Sequence, residues 1–134
     1  MSTLSPAVHL LFPLVAGETR LVIPLEETVL SAALKPASDR SQRLIVFVHG
    51  AASNASRWEE FVDTTALSQR WTLVRFDLRG HGASPARRPG RLENYADDIA
   101  AVIGAAGAHG PIVVVGHSLG ACLLYTSPSP RDYA

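Results

Sequence analysis

The sequence predicts an α/β domain built on a mostly parallel β-sheet, and three patterns support this prediction. Two unbroken apolar runs, at Leu44–Val48 and residues 112–115, are typical of strands that are covered on both faces of a sheet. An apolar periodicity of three and four residues lies between them, over Leu92–Ala106, and predicts a helix. Strands that alternate with helices form right-handed crossovers, so helices are expected on both faces of the sheet.

Length and composition fit one soluble globular domain. The chain has 134 residues, of which 47% are hydrophobic and 18% are charged. A chain with this apolar content is expected to fold. Its 12 basic and 12 acidic residues balance, so the charge predicts neither a nucleic acid nor a membrane as a partner.

Targeting and metal-binding signals are not found in the sequence. The N-terminal apolar stretch lacks a basic start and is interrupted by Pro6 and Pro13, so we expect no secretion signal and a cytoplasmic location. The single cysteine, Cys122, excludes an internal disulfide. The histidines show no ligand spacing, so neither a metal nor another cofactor is expected.

Three weaker strands are predicted besides the two strong ones. Residues 20–25 and Val29–Lys35 are separated by a short connection, so we expect them to form a hairpin. Residues 71–77 form the third, in which Arg75 interrupts the apolar run. This interruption predicts a strand that lies near an edge of the sheet or is partly exposed.

Two helices are predicted between the strong strands. Ser56 and Glu59 fit a capping box, so the first helix is expected to run from there to about Leu67. The second helix is the periodic segment, and Gly107 is well placed to end it.

A G-x-S-x-G motif directly follows the second strong strand, with Gly116, Ser118 and Gly120 as its fixed positions. A strand before the motif and a helix after it are the context of a nucleophile elbow, whose strained turn presents the serine hydroxyl above the sheet. Side chains at the two glycine positions would collide with neighbouring elements. We therefore predict Ser118 as the catalytic nucleophile and the Leu119 N–H as an oxyanion donor.

Three segments together resemble the first half of an α/β-hydrolase: residues 49–52, residues 77–84 and the elbow at Ser118. In that family the loop after the H-G pair supplies the second oxyanion N–H, so the resemblance assigns this donor to Ala51, beside Leu119. It implies a truncated α/β-hydrolase fold that contains strands 1 to 5 only. It also implies a serine hydrolase that cleaves an ester, thioester, lactone or amide bond of a small molecule through an acyl-serine intermediate.

The other polar residues of these segments are interpreted as structural. His49, His81 and His117 each lie inside their own motif, whereas a general base must reach the nucleophile from outside the turn. Asp77 and Arg79 are expected to fix the loop at residues 77–84 through hydrogen bonds.

We divide the chain into an N-terminal part of an α/β-hydrolase domain, residues 1–121, and a non-native tail, residues 122–134. Two prolines, Pro128 and Pro130, would end any helix there. Reverse translation of residues 122–132 permits DNA that resembles a transposon-end adapter used to prepare sequencing libraries.

The general base and its acid are not expected in this chain. The family order of serine, acid and histidine places both partners beyond Ala121, so the fragment alone is expected to be inactive. The alternative is a non-enzymatic ligand-binding module of the same fold, because a fold does not fix a function. The substrate and the oligomeric state stay open.

Overall fold

The computed structural model describes residues 5–86 and 92–117, except for the Leu92 side chain. Its strands are β1 (Thr19–Pro24), β2 (Val29–Lys35), β3 (Leu44–Val48), β4 (Thr72–Phe76) and β5 (Ile112–Gly116). Its α-helices are α1 (Glu59–Thr64) and α2 (Leu92–Ala106), and short 3-10 turns lie at Val8–Leu10, Ala55–Trp58 and Ala66–Gln69.

The strands form one sheet in the order β1-β2-β4-β3-β5 within the described residues. β1 and β2 form the predicted antiparallel hairpin, and β2 pairs antiparallel with β4. β3 pairs in parallel with both β4 and β5. The described sheet is therefore mixed, with two parallel and two antiparallel pairings. The predicted parallel arrangement is confirmed for β3, β4 and β5, whose carboxyl ends lie at one edge.

Alternate residues of the central strands form two apolar layers, one on each face of the sheet. On one face, Val46 of β3 and Phe76 of β4 belong to a core cluster with Ile99 and Val102 of α2. On the other face, Phe47 of β3 belongs to a cluster with side chains from α1 and the turn before it. Helices thus cover both faces of the central strands, as the sequence predicts. The same prediction for the run at 112–115 is not met among the described residues, because β5 is partly exposed, with Val113 at 42% exposure.

The end of α2 is also as predicted. Gly107 follows the last helical residue with a φ of 68°, in the left-handed region that commonly ends helices. Within the two described ranges, no helix is long and apolar enough to cross a membrane.

The prediction that the strand with Arg75 lies near an edge or is partly exposed is wrong. β4 lies between β2 and β3, and Arg75 is fully buried. Its guanidinium pairs with the buried carboxylate of Glu18, with 2.7 Å between Nη2 and Oε1. A charge can be buried when it is paired and hydrogen-bonded, so an arginine within an apolar run does not establish exposure.

The first helix begins and ends differently from the prediction. The N-cap residue of α1 is Trp58, which makes no side-chain cap bond, so the predicted capping box of Ser56 does not start this helix. The side-chain cap lies earlier, at Asn54, which accepts a hydrogen bond of 2.8 Å from the Ser56 N–H. A 3-10 turn follows, and α1 then ends before the predicted Leu67. Thr65 has an extended backbone, with a ψ of 137°, and its side chain caps the next 3-10 turn, so the helix does not continue.

Candidate active site

The carboxyl ends of β3 and β5 lie side by side. Val48 is aligned with Gly116 in the parallel register, and the His117 N–H donates to the Val48 carbonyl at 3.1 Å. The H-G loop after β3 and the G-x-S-x-G motif after β5 therefore leave the sheet from adjacent strands. Gly116 ends β5, whereas Ser118, Leu119 and Gly120 lie outside the described residues, as does the predicted tail at 122–134.

Ala51 lies in an exposed turn directly after the end of β3. The next residue, Ala52, has a φ of 55°, which is uncommon for a residue other than glycine. Among the described residues, no acceptor contacts the Ala51 backbone N–H. A backbone N–H that has no acceptor among the described residues is able to donate to a bound oxyanion.

His49 is fully buried at the end of β3. Its Nδ1 donates to the Gly50 carbonyl at 2.7 Å, and its Nε2 accepts from the Leu78 N–H at 3.0 Å, so these partners fix one neutral tautomer. Burial lowers the pKa of His49 to about 4, although the Gly50 carbonyl opposes this shift. A neutral ring with both nitrogens engaged holds two loops together, in agreement with the structural interpretation.

The burial of His49 predicts a loss of stability in mild acid. The pKa falls from 6.5 to about 4 on folding, so the unfolded chain binds a proton that the folded chain does not. The free energy that His49 contributes to stability is therefore complete above its pKa in the unfolded chain. It is lost as the pH falls toward its pKa in the folded chain. We expect the free energy of unfolding to fall by about 2 kcal/mol between about pH 7.5 and about pH 5 because of this group.

Urea denaturation of His49→Gln measures this contribution, since glutamine keeps an acceptor for Leu78 but does not titrate. The variant is expected to be less sensitive to pH than the wild type over that range. His109→Gln is the control, because His109 is exposed. An equal pH dependence in wild type and His49→Gln would contradict the buried, neutral state of His49.

Asp77 and Arg79 fix the loop that follows β4, as expected. The Asp77 carboxylate accepts from the Ala83 N–H at 2.9 Å and from the Ala55 N–H at 2.7 Å. Burial raises the pKa of Asp77, although these two N–H groups oppose the shift. Arg79 pairs with Asp98 of α2, with 2.6 Å between Nη2 and Oδ1. One carboxylate thus joins the loops after β3 and β4, and an ion pair joins the second loop to α2.

The two remaining motif histidines lie in different environments. The ring of His81 is half-buried, and its Nδ1 lies 3.1 Å from the Arg79 carbonyl of the same loop. It also lies 5.1 Å from the ring of His49 and 6.3 Å from that of Tyr95, so it packs its loop against these neighbours, in agreement with the structural interpretation. His117 is exposed, and its Nε2 lies 3.2 Å from Nη2 of Arg57. Arginine can only donate, so the His117 Nε2 is the acceptor.

The contact of Arg57 with His117 is a feature of the site that sequence reasoning missed. It brings a cationic side chain beside the residue that precedes Ser118. The two residues are 60 positions apart, and no local pattern marks either as a partner of the other. Within residues 5–86 and 92–117, no cluster of three or more His, Cys, Asp or Glu side chains could hold a metal ion.

Comparison with protein families decides the relationship of this chain. The model of the alpha/beta hydrolase family matches residues 45–132, which is more than half of the 134 residues. The chain belongs to the α/β-hydrolase family.

Relatives with hydrolase names are found among characterised proteins and solved structures. The 2-(acetamidomethylene)succinate hydrolase of Mesorhizobium japonicum is 44% identical over 79 residues, which are 58% of this chain and 27% of that protein. The bifunctional esterase/perhydrolase of Acinetobacter calcoaceticus is 34% identical over 96 residues, 69% of this chain and 34% of that protein. A candidate epoxide hydrolase of Pseudomonas aeruginosa has a TM-score of 0.68 and 26% identity over 85% of this chain.

This α/β-hydrolase chain spans only part of those relatives. It covers 27% and 34% of the two characterised proteins and 37% of the Pseudomonas structure. The matches therefore establish the family and the fold of this part.

Proposed function

We propose that the full-length protein is a serine hydrolase that cleaves an ester, thioester, lactone or amide bond through an acyl-Ser118 intermediate. The register of β3 and β5 carries this proposal. It aligns Val48 with Gly116, so the Ala51 loop and the segment that leads to Ser118 start from neighbouring positions. When a nucleophile and a backbone donor lie on segments that follow adjacent strands, they can reach the carbon and the oxygen of one carbonyl group.

The proposed reaction has two steps. The Ser118 Oγ attacks the acyl carbon and loses its proton to a general base, while the carbonyl electrons move onto oxygen. The Ala51 and Leu119 N–H groups donate to this oxyanion, and its collapse expels the leaving group, which takes up the proton. Water then releases the acyl group from Ser118 by the same route. The base and its acid are expected after Ala121.

Two relatives support acyl-bond chemistry by their names. One is a 2-(acetamidomethylene)succinate hydrolase, and the other is an esterase and perhydrolase. The Pseudomonas structure is named for epoxide hydrolysis. Family members that open epoxides carry aspartate at the elbow, so the serine at position 118 favours acyl transfer in this chain.

Labelling of the full-length protein with a fluorophosphonate probe tests the proposal. The probe phosphonylates a serine that is activated as a nucleophile, so peptide mass spectrometry is expected to find the adduct on Ser118. Heat-denatured protein serves as the control for non-specific labelling. An adduct on a different residue, or none on protein that hydrolyses p-nitrophenyl esters, would contradict the proposed role of Ser118.

A further inference from the structure

Two buried charged residues hold the exit of the loop that contains Ala51. This loop spans residues 50–54, and Ala55 follows it directly. The Ala55 N–H donates to Oδ1 of Asp77 at 2.7 Å, and the Ala55 carbonyl accepts from Nη1 of Arg75 at 3.1 Å. Arg75 in β4 and Asp77, just after β4, therefore bind the backbone carbonyl and the backbone N–H of Ala55.

Arg75 is itself fixed by the segment that precedes β1. Its Nε and Nη2 donate to the two carboxylate oxygens of Glu18 at 2.8 and 2.7 Å. Its Nη2 also donates to the Pro13 carbonyl at 2.9 Å, and its guanidinium lies 4.6 Å from the centre of the Phe12 ring. The position of the donor that reaches Ala55 thus depends on residues 12–18.

A gain in stability does not by itself account for this arrangement. Both side chains of the pair between Arg75 and Glu18 are completely buried. Burial of two charges costs free energy that their attraction often only offsets, and an apolar pair of similar volume is often as stable. An apolar pair could not replace the bonds from Arg75 to the Ala55 and Pro13 carbonyls or the bond from the Val15 N–H to Glu18, and of these only the first reaches the loop of Ala51.

We propose that Glu18 is a positioning residue for the oxyanion hole, which acts through Arg75 and Ala55 on the Ala51 N–H. This proposal rests on the proposed function. Oxyanion donors are effective only within about 0.5 Å of their productive position. Because few residues separate Ala51 from Ala55, a displacement of the Ala55 peptide is transmitted to the donor. The segment before β1 therefore contributes to catalysis without contact with the substrate.

The double variant Glu18→Leu/Arg75→Met of the full-length protein separates positioning from stability. Its urea midpoint is expected to fall only moderately, because the apolar pair fills the same space while the Ala55 and Pro13 carbonyls and the Val15 N–H lose their partners. Its kcat for p-nitrophenyl acetate is expected to fall about tenfold or more, with KM changed less than about twofold. The N–H groups of Ala55, Ser56 and Arg57 are hydrogen-bonded at the exit of the loop, so their exchange reports on its position. Amide hydrogen exchange of residues 55–57, called loop exchange below, is expected to accelerate at least about tenfold, whereas exchange in α2 stays unchanged.

Glu18→Gln is the conservative variant, because its amide oxygen still accepts one hydrogen bond from Arg75. Its kcat and its loop exchange are expected to lie between those of the wild type and the double variant. If the double variant does not fold, loop exchange in Glu18→Gln decides the matter: faster exchange at residues 55–57 alone supports positioning, and unchanged exchange overturns it.

Wild-type kcat and wild-type loop exchange in a folded double variant would also overturn the proposal. A parallel Ser118→Ala variant reports on the proposed function separately. If that variant stays active, the serine mechanism fails, and loop exchange in the Glu18 variants alone decides whether the ion pair positions the loop.

Discussion

Replacement of Ser118 with alanine in the full-length protein is expected to lower kcat for p-nitrophenyl esters by about four to six orders of magnitude. The hydroxyl supplies the atom that bonds to the acyl carbon, and no neighbouring group can take over that role at the same point of the turn. KM is expected to change little, because the methyl group that remains still fits the substrate pocket. The residual rate reflects the oxyanion donors and substrate binding alone.

The measurement needs a control that removes a hydroxyl elsewhere. Ser38→Ala is suitable, because Ser38 is exposed in the segment that leads into β3, at the opposite edge of the sheet from the carboxyl ends. Ser38→Ala is expected to retain wild-type kcat. If Ser118→Ala and Ser38→Ala were equally active, Ser118 would not be the nucleophile and the proposed mechanism would be wrong.

Local apolar pattern was enough to predict most of the sheet. The run at Leu44–Val48 is buried throughout, as expected of a strand with helices on both faces. The hairpin of β1 and β2 and the end of α2 at Gly107 were also predicted, because short connections and helix ends leave signals within a few neighbouring residues.

Long-range pairing explains what the sequence did not predict. Arg75 led to the wrong prediction of a strand near an edge or partly exposed, because its partner, Glu18, lies 57 positions away. The contact between Arg57 and His117 spans 60 positions and was missed for the same reason. A hydrophobicity pattern reports the cost of burying a charge, but not the distant group that offsets it.

The helix cap shows how tertiary contacts select between two local signals. Asn54 and Ser56 are both good N-cap residues, so propensity alone does not choose between them. Asp77 binds the Ala55 N–H and Arg75 binds the Ala55 carbonyl, which fixes where the chain enters the 3-10 turn. This entry point makes Asn54 the cap. The same contacts place the loop of Ala51, so the cap and the candidate site depend on one set of buried charges.

Gly82→Ala is expected to lower the free energy of unfolding by about 3 kcal/mol or more. Gly82 has a φ of 49°, and a Cβ there would lie 2.3 Å from Oδ2 of Asp77. The carboxylate cannot move away freely, because it binds the N–H groups of Ala55 and Ala83. The variant therefore combines left-handed strain of about 1 kcal/mol with the loss of hydrogen bonds to a buried charge.

Two other glycines separate these contributions in the same urea denaturation experiment. Gly107 has a φ of 68°, and no described atom lies within 4 Å of the position that an added Cβ would take, so Gly107→Ala is expected to cost only about 1 kcal/mol. Gly104 lies within α2 with open space around it, so Gly104→Ala is expected to stabilise the protein by about 0.5 to 1 kcal/mol. If Gly82→Ala cost no more than Gly107→Ala, the Asp77 carboxylate would be free to move. Asp77 would then not join the two loops at the candidate site. Only Arg75 would remain to fix Ala55, and through it Ala51.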